Sequence, residues 1–214
     1  MDTILNISSK NEKMATIELQ GGQSLTVPKV LVYEKGFRKG DELSEENIEE
    51  LAFENELFLC EMKALDYLAR RLHSKSELRR KLYQKRFSKP VIDSIMEKLT
   101  DLRYLDDRKY AELLINESLN LRHDGTGKIR ERLMAKGIPR EIAEHALLFT
   151  EARSFEEENI SIIGQKKLAS LQRRFSDNRT IYQKLTAYLI SKGFSFDSVK
   201  QFIRNEDQGA ELED

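Results

Sequence analysis

The chain has one cysteine, Cys60, no tryptophan, and only three prolines and three histidines in 214 residues. One cysteine excludes an internal disulfide framework. The histidines, His73, His123 and His145, lie far apart in sequence and have no second cysteine to join them, so no pair has zinc-ligand spacing. Scarce proline removes the strongest helix breaker and leaves room for long helices. No apolar run approaches the ~18 residues that suggest a membrane span. The opening MDTILNISSK lacks the basic and then apolar stretches of a secretory signal. The expected location is therefore the cytoplasm, with no membrane partner. Cys60 sits in an apolar stretch (57–62) and reads as a small buried hydrophobe rather than a reactive thiol.

Signatures of catalysis are missing as well. There is no Gly-x-Ser-x-Gly. Gly125-Thr126-Gly127-Lys128 resembles the end of a phosphate-binding loop, but Arg122 holds the earlier glycine position and Ile129 stands where Ser or Thr should follow. The pair Asp106-Asp107 has no third carboxylate at helical spacing to make a metal site, and helix capping explains Asp106. The chain reads as a binding protein, not an enzyme, with no cofactor and no metal.

What the sequence does hold is one pattern written three times. It runs apolar, three residues, apolar, two residues, Lys, one residue, apolar, and then a short apolar helix. The copies are Leu78, Leu82, Lys85, Phe87, Ile92, Ile95; Ile129, Leu133, Lys136, Ile138, Ala143, Ala146; and Leu185, Leu189, Lys192, Phe194, Val199, Phe202. A period of about 50 residues indicates tandem copies of one supersecondary unit, stacked into an extended array. The Lys-x-apolar element reads as a turn between two helices. Gly137 and Gly193 suit a left-handed residue just past a helix end, and each lysine meets the negative end of the helix dipole. The first copy has Arg86 in the glycine position, where a left-handed conformation would cost about 1 kcal/mol.

The fold class expected is mainly α: tandem three-helix repeats in an elongated array, with a small N-terminal ββα unit. Residues 1–56 form that unit, with strands at 13–19 and 24–27, a turn at 20–23, Pro28 at the edge, a further turn between Gly36 and Gly40, and a helix capped by Ser44 with Ile48, Leu51 and Ala52 inward. Repeat 1 spans 57–105, repeat 2 spans 106–150 and repeat 3 spans 151–205. Residues 206–214 form an acidic tail expected to be disordered. In repeat 1, Leu65, Leu68, Ala69 and Leu72 mark one buried face, Ser74 and Glu77 a capping box, and Pro90 the first turn of a third helix. Thr126 is expected to cap the second helix of repeat 2.

The net charge of −1 conceals segregation. Residues 1–60 carry 6 basic and 12 acidic side chains, 61–104 carry 12 and 6, 105–150 carry 8 and 8, and 151–205 carry 10 and 6. The last nine residues carry five acids and no base. Repeats 1 and 3 are thus basic islands, the footprint of a polyanionic or acidic partner. The candidate contacts are Arg70, Arg71, Lys75, Arg79, Arg80, Lys81, Lys85 and Arg86 in the first island. In the second they are Lys166, Lys167, Arg173, Arg174, Arg179 and Lys184. Few acids stand four residues from Arg79, Arg80 and Lys81, and unpaired basic density suits phosphate neutralisation. Tyr67, Tyr83 and Tyr104 lie among them and could stack on bases. A helix-turn-helix transcription factor is a rival reading. Its reading helices would be 90–100 and 140–150, which lack the Arg, Asn and Gln array of direct readout. A helical protein-interaction scaffold is a third.

The ordered pieces Ala64-Leu65-Asp66-Tyr67-Leu68, Ser74-Lys75-Ser76-Glu77-Leu78, Tyr104-Leu105-Asp106-Asp107 and Gly127…Leu133-x-x-Lys136-Gly137-Ile138 together resemble the RecX family, over roughly residues 60–204. The first 56 residues match it loosely, as an extension of a kind some members carry. The resemblance implies a bacterial regulator that lies in the groove of the RecA–DNA filament. It also implies inhibition of RecA ATP hydrolysis, strand exchange and LexA-repressor cleavage, and so modulation of recombinational repair and the SOS response. The implied partners are the RecA filament and single-stranded DNA, with double-stranded DNA as a further candidate. The chain itself is expected to be a monomer. No catalytic residue is implied.

Overall fold

In the computed structural model residues 1–149 and 154–211 are described, apart from the side chains of Ser154 and of residues 207–211. The chain divides into two compact units: Met1–His73 with Leu78–Tyr104, and Ser74–Glu77 with the chain from Leu105 onwards.

The first unit begins with β1 (Asp2–Ser9), β2 (Met14–Leu19) and β3 (Ser24–Pro28), then α1 (Lys29–Lys35) and the short β4 (Glu42–Leu43). The strands form one antiparallel sheet in the order β3-β2-β1-β4. The expected β2–β3 hairpin is present, and Ile17 and Leu19 both point into the core with Ile4, Val27, Leu43 and Leu51. The sheet also contains β1 and β4, and α1 follows Pro28, so the unit is larger than ββα. β1 escapes the sequence pattern because its polar residues Asn6, Ser8 and Ser9 interrupt any apolar alternation.

Ser44 caps α2 (Glu45–Arg70), accepting from the amide of Asn47, which completes a capping box. This helix runs unbroken for 26 residues, roughly 39 Å. It passes through the 56/57 boundary, so one helix serves both the sheet and repeat 1. Its buried side chains are Leu51, Cys60 and Ala64. Leu65 and Leu68 are only half-buried, and Ala52, Ala69 and Leu72 are exposed, a correction to the expected inward stripes. α3 (Lys75–Gln84) and α4 (Lys89–Asp101) complete repeat 1. Ser88 does not cap α4 with its own hydroxyl. Instead Glu56 of α2 accepts from its amide and its hydroxyl, at 2.5 and 2.9 Å.

The second unit holds α5 (Asp107–Glu117), a π-helical turn (Ser118–Arg122), α6 (Thr126–Ala135) and α7 (Arg140–Phe149). Repeat 3 follows as α8 (Ser154–Gln172), α9 (Asn178–Ser191) and α10 (Phe196–Glu211). α10 extends as helix into the segment expected to be a disordered tail. Residues 212–214 and the 150/151 repeat boundary lie outside the described residues. The apolar positions of all three pattern copies are buried except Phe87, which is half-buried.

Gly137 and Gly193 are left-handed, with φ of 75° and 88°. Each turn docks on the start of a helix in the preceding repeat. Gly125 and Gly127 donate their amides to the carbonyls of Lys192 and Gly193, both at 2.9 Å. Ser74 donates its hydroxyl to the carbonyl of Lys136 at 2.5 Å and accepts from the amide of Glu77. A methyl group on Gly193 would overlap the backbone nitrogen of Lys128, and one on Gly137 would come within 2.6 Å of the Ser76 side chain. Thr126 is therefore not the expected cap: Gly125 holds the cap position without a side-chain bond. Arg86 is also left-handed (φ 65°), but it is exposed and needs no close approach, which is why a side chain is admitted there. α9 starts four residues earlier against the pattern than α3 and α6 do, so the buried Ile181 falls where Ser74 and Gly125 fall in the other copies.

Gly193→Ala should lower the unfolding free energy by at least about 2 kcal/mol, from left-handed strain plus the backbone clash. Arg86→Gly should change it by less than about 0.5 kcal/mol, because relief of strain is offset by a freer unfolded chain. Urea titration of both variants decides this; equal effects would contradict the docking role. Burial, helped by the nearby Glu56 charge, pushes the Cys60 thiol up to about 12. The native protein should therefore resist alkylation at pH 8 and react only once unfolded.

Candidate nucleic-acid interface

Each repeat has a cross-helix pair at the residue before its second patterned leucine. In repeat 1 it is Lys81 of α3, whose ammonium lies 4.7 Å from the centre of the Tyr67 ring of α2. In repeat 3 the chemistry is swapped: Lys167 of α8 lies 4.9 Å from the Tyr188 ring of α9. In repeat 2 it is Arg132 of α6, which donates to Ser118 at 2.6 Å and to Glu117 at 3.3 Å. Arg122 bonds to Glu117 as well, and these donors hold the Glu117 carboxyl below its ordinary range. The same seam thus carries an ion pair in the electroneutral repeat and a lysine-covered ring in the two basic ones.

The candidate cations divide by what they touch. Arg70 bonds to Asp66 at 3.1 Å, and Arg79 pairs with Asp93 of α4. Lys63 also bonds to Asp66, at 2.9 Å, which with Arg70 keeps that carboxyl below its ordinary range. Arg71 donates to the Leu72 carbonyl. Lys75 opens α3 half-buried, its amide bonded at 2.9 Å to the buried Asp107. Burial pushes the Asp107 carboxyl upward, and the amide of Lys75 opposes this. Asp106 caps α5 as expected, accepting from Arg108 and Lys109, so the paired aspartates cap two different helices. Arg80, Lys85 and Arg86 are exposed along α3 and its following turn. In repeat 3, Lys166, Arg173, Arg174, Arg179 and Lys184 are exposed, and Lys184 also lies 5.0 Å from the Phe175 ring.

Lys63 was missed by the sequence reading. It also lies near Tyr67, 5.1 Å from the ring centre, and its i,i+4 spacing to Tyr67 is the available signal. Tyr83 and Tyr104 are exposed but carry no lysine of this kind among the described contacts. The glycine-rich stretch 125–128 cannot cradle a phosphate, because two of its amides are bonded to the Lys192-Gly193 turn. Among the described residues no group of His, Cys, Asp and Glu could hold a metal ion, and no helix is long and apolar enough to cross a membrane.

Glycine turns docked on helix starts, and apolar seams edged with cations, define a tandem three-helix-repeat protein. Family models bear this out repeat by repeat: the first, second and third three-helix domains of RecX match residues 60–99, 106–147 and 156–203. The chain belongs to the RecX family. It is 27% identical over 202 residues to the regulatory protein RecX of Clostridium botulinum (strain Alaska E43 / Type E3), covering 94% of both chains. To that of Clostridium perfringens (strain SM101 / Type A) it is 28% identical over 204 residues, again covering 94% of both. A crystal structure of a regulatory protein RecX superposes with a TM-score of 0.73 at 24% identity, over 95% of this chain and 100% of that one. RecX from Lactobacillus salivarius gives 0.65 at 27% identity, over 72% and 97%. The alignments with the two Clostridium relatives take in 94% of this chain, whereas the three family models begin at residue 60 and the Lactobacillus salivarius structure covers 72% of it.

Proposed function

We propose that this protein is an inhibitor of the RecA recombinase that binds the RecA–single-stranded DNA filament in the cytoplasm. Binding there would limit ATP hydrolysis, strand exchange and LexA-repressor cleavage, and so modulate recombinational repair and the SOS response. The observation that carries this reading is the ordered set of three RecX domains along the chain. The basic seams support it, since a filament groove offers both phosphates and protein.

The transcription-factor alternative loses ground. In repeats 1 and 2 the last helix spends an acid on its own repeat: Asp93 of α4 on Arg79, and Glu144 of α7 on Arg130 through two bonds of 2.6 and 3.1 Å. Helices so occupied offer little for reading base edges. The acidic C-terminal residues are proposed to compete with DNA for the basic seams.

With cognate RecA on single-stranded DNA, the protein should suppress ATP hydrolysis at ratios below one per RecA. No effect from folded protein with active RecA would sink the proposal. Arg80→Glu with Lys85→Glu should raise the half-inhibiting concentration roughly tenfold and flatten its salt dependence. Arg79→Glu is the poorer probe, because it also breaks the Asp93 pair. Removing residues 206–214 should tighten binding to a single-stranded oligonucleotide; unchanged affinity would remove the tail from the mechanism.

A further inference from the structure

The α8–α9 seam of repeat 3 holds two lysine-covered rings in succession. Lys184 and Tyr188 stand one turn apart on α9, about 6 Å in rise. Lys167 of α8 covers Tyr188 at 4.9 Å, and Lys184 covers Phe175, in the loop between the two helices, at 5.0 Å. Both rings are half-buried, packed against the core of Leu185, Leu189 and their neighbours, which fixes their planes. Arg173 and Arg174 immediately precede Phe175 and are exposed.

We propose that this seam is a stacking site for the unpaired bases of single-stranded nucleic acid, with Phe175 and Tyr188 as the platforms. The idea rests on the functional reading above and deepens it. Single-strand sites combine a basic track with aromatic faces, and every base has a face to stack. A lysine over a partly exposed ring is a weaker contact than a stacked base, and the displaced ammonium can move to the adjoining phosphate. Arg173 and Arg174 stand where the backbone leaving Phe175 needs neutralising. Duplex DNA keeps its base faces internal and would gain only the charge term. Repeat 2 lacks the device, because its seam is closed by the Arg132–Glu117 pair.

The test uses the full chain and two labelled probes of equal charge, a 20-residue oligothymidylate and the corresponding abasic strand, followed by fluorescence anisotropy. The native protein should bind the oligothymidylate roughly tenfold more tightly than the abasic strand. Phe175→Leu with Tyr188→Leu should remove that preference and keep the abasic affinity, whereas Tyr188→Phe should retain it. Equal affinity of the native chain for both probes, or no binding to either, overturns the proposal. So does a preference that survives the double leucine variant. Should that variant not fold, photo-crosslinking of the native chain to a 5-iodouracil strand decides instead: adducts are expected on Phe175 or Tyr188, and adducts confined to other residues overturn it. If the variants weaken RecA inhibition with oligonucleotide affinities unchanged, the seam serves a protein partner and the stacking role is wrong. RecA inhibition is measured separately, so the regulatory reading can stand or fall without this one.

Discussion

The contact on which the second unit depends is the approach of one backbone to another at Gly193 and Lys128. It leaves no room for a β-carbon and is closed by two amide-to-carbonyl bonds, from Gly125 and Gly127. Glycine meets two demands there at once: a positive φ and a zero-sized side chain. A related contact recurs at Gly137, which packs on Ser76, while the Ser74 hydroxyl donates to the Lys136 carbonyl in place of an amide. A helix start normally leaves amides unsatisfied. In this protein the turn of the following repeat supplies acceptors, so repeat-to-repeat docking and helix capping are a single interaction.

The copies at the two ends of the array depart from this rule in ways the same physics explains. Arg86 keeps the left-handed backbone but carries a long exposed side chain that a docking turn could not tolerate. α9 begins a turn early, so the place of the small docking residue is taken by buried Ile181. One end lacks a turn that can insert, and the other lacks an open helix start. Terminal units of repeat arrays need such departures, because an unaltered end would go on binding copies of itself. Electrostatics lies on top of this frame. Asp124 is buried between Arg132 and Lys192, each 3.6 Å away, and ties the patterned lysine of repeat 3 to repeat 2. That places Lys192 in the structure rather than on a binding surface, in keeping with its reading as a helix-end cation.

The candidate interface shows how coarse a charge count is. Arg79 looks free in the sequence because no acid sits three or four residues from it, yet it finds Asp93 on another helix, while Arg70 is already taken by Asp66 one turn before it. Lys81 and Lys167 look like generic surface cations and instead cover tyrosines. What remains for a polyanion is smaller and better defined: Arg80, Lys85 and Arg86 on one unit, and the exposed cations flanking the α8–α9 seam on the other.

The sequence by itself determined the repeat count and the patterned residues that fill each repeat's core, but not which face of α2 is buried. Those depend on periodicity and on local chemistry: leucines one turn apart, a glycine after a lysine, an aspartate before a helix. It also determined the family, through the order and spacing of those pieces. Only the tertiary structure decided that α2 is one helix shared by sheet and repeat, since nothing local stops a helix that lacks a breaker at residue 56. It alone brought β1 and β4 into the sheet, where cross-strand pairing outweighs a poor local pattern. It alone gave Asp107, Glu56 and Ser74 their partners, which lie 32, 32 and 62 residues away. Capping across that distance leaves no periodic trace, because its energy comes from a backbone group that the sequence does not label.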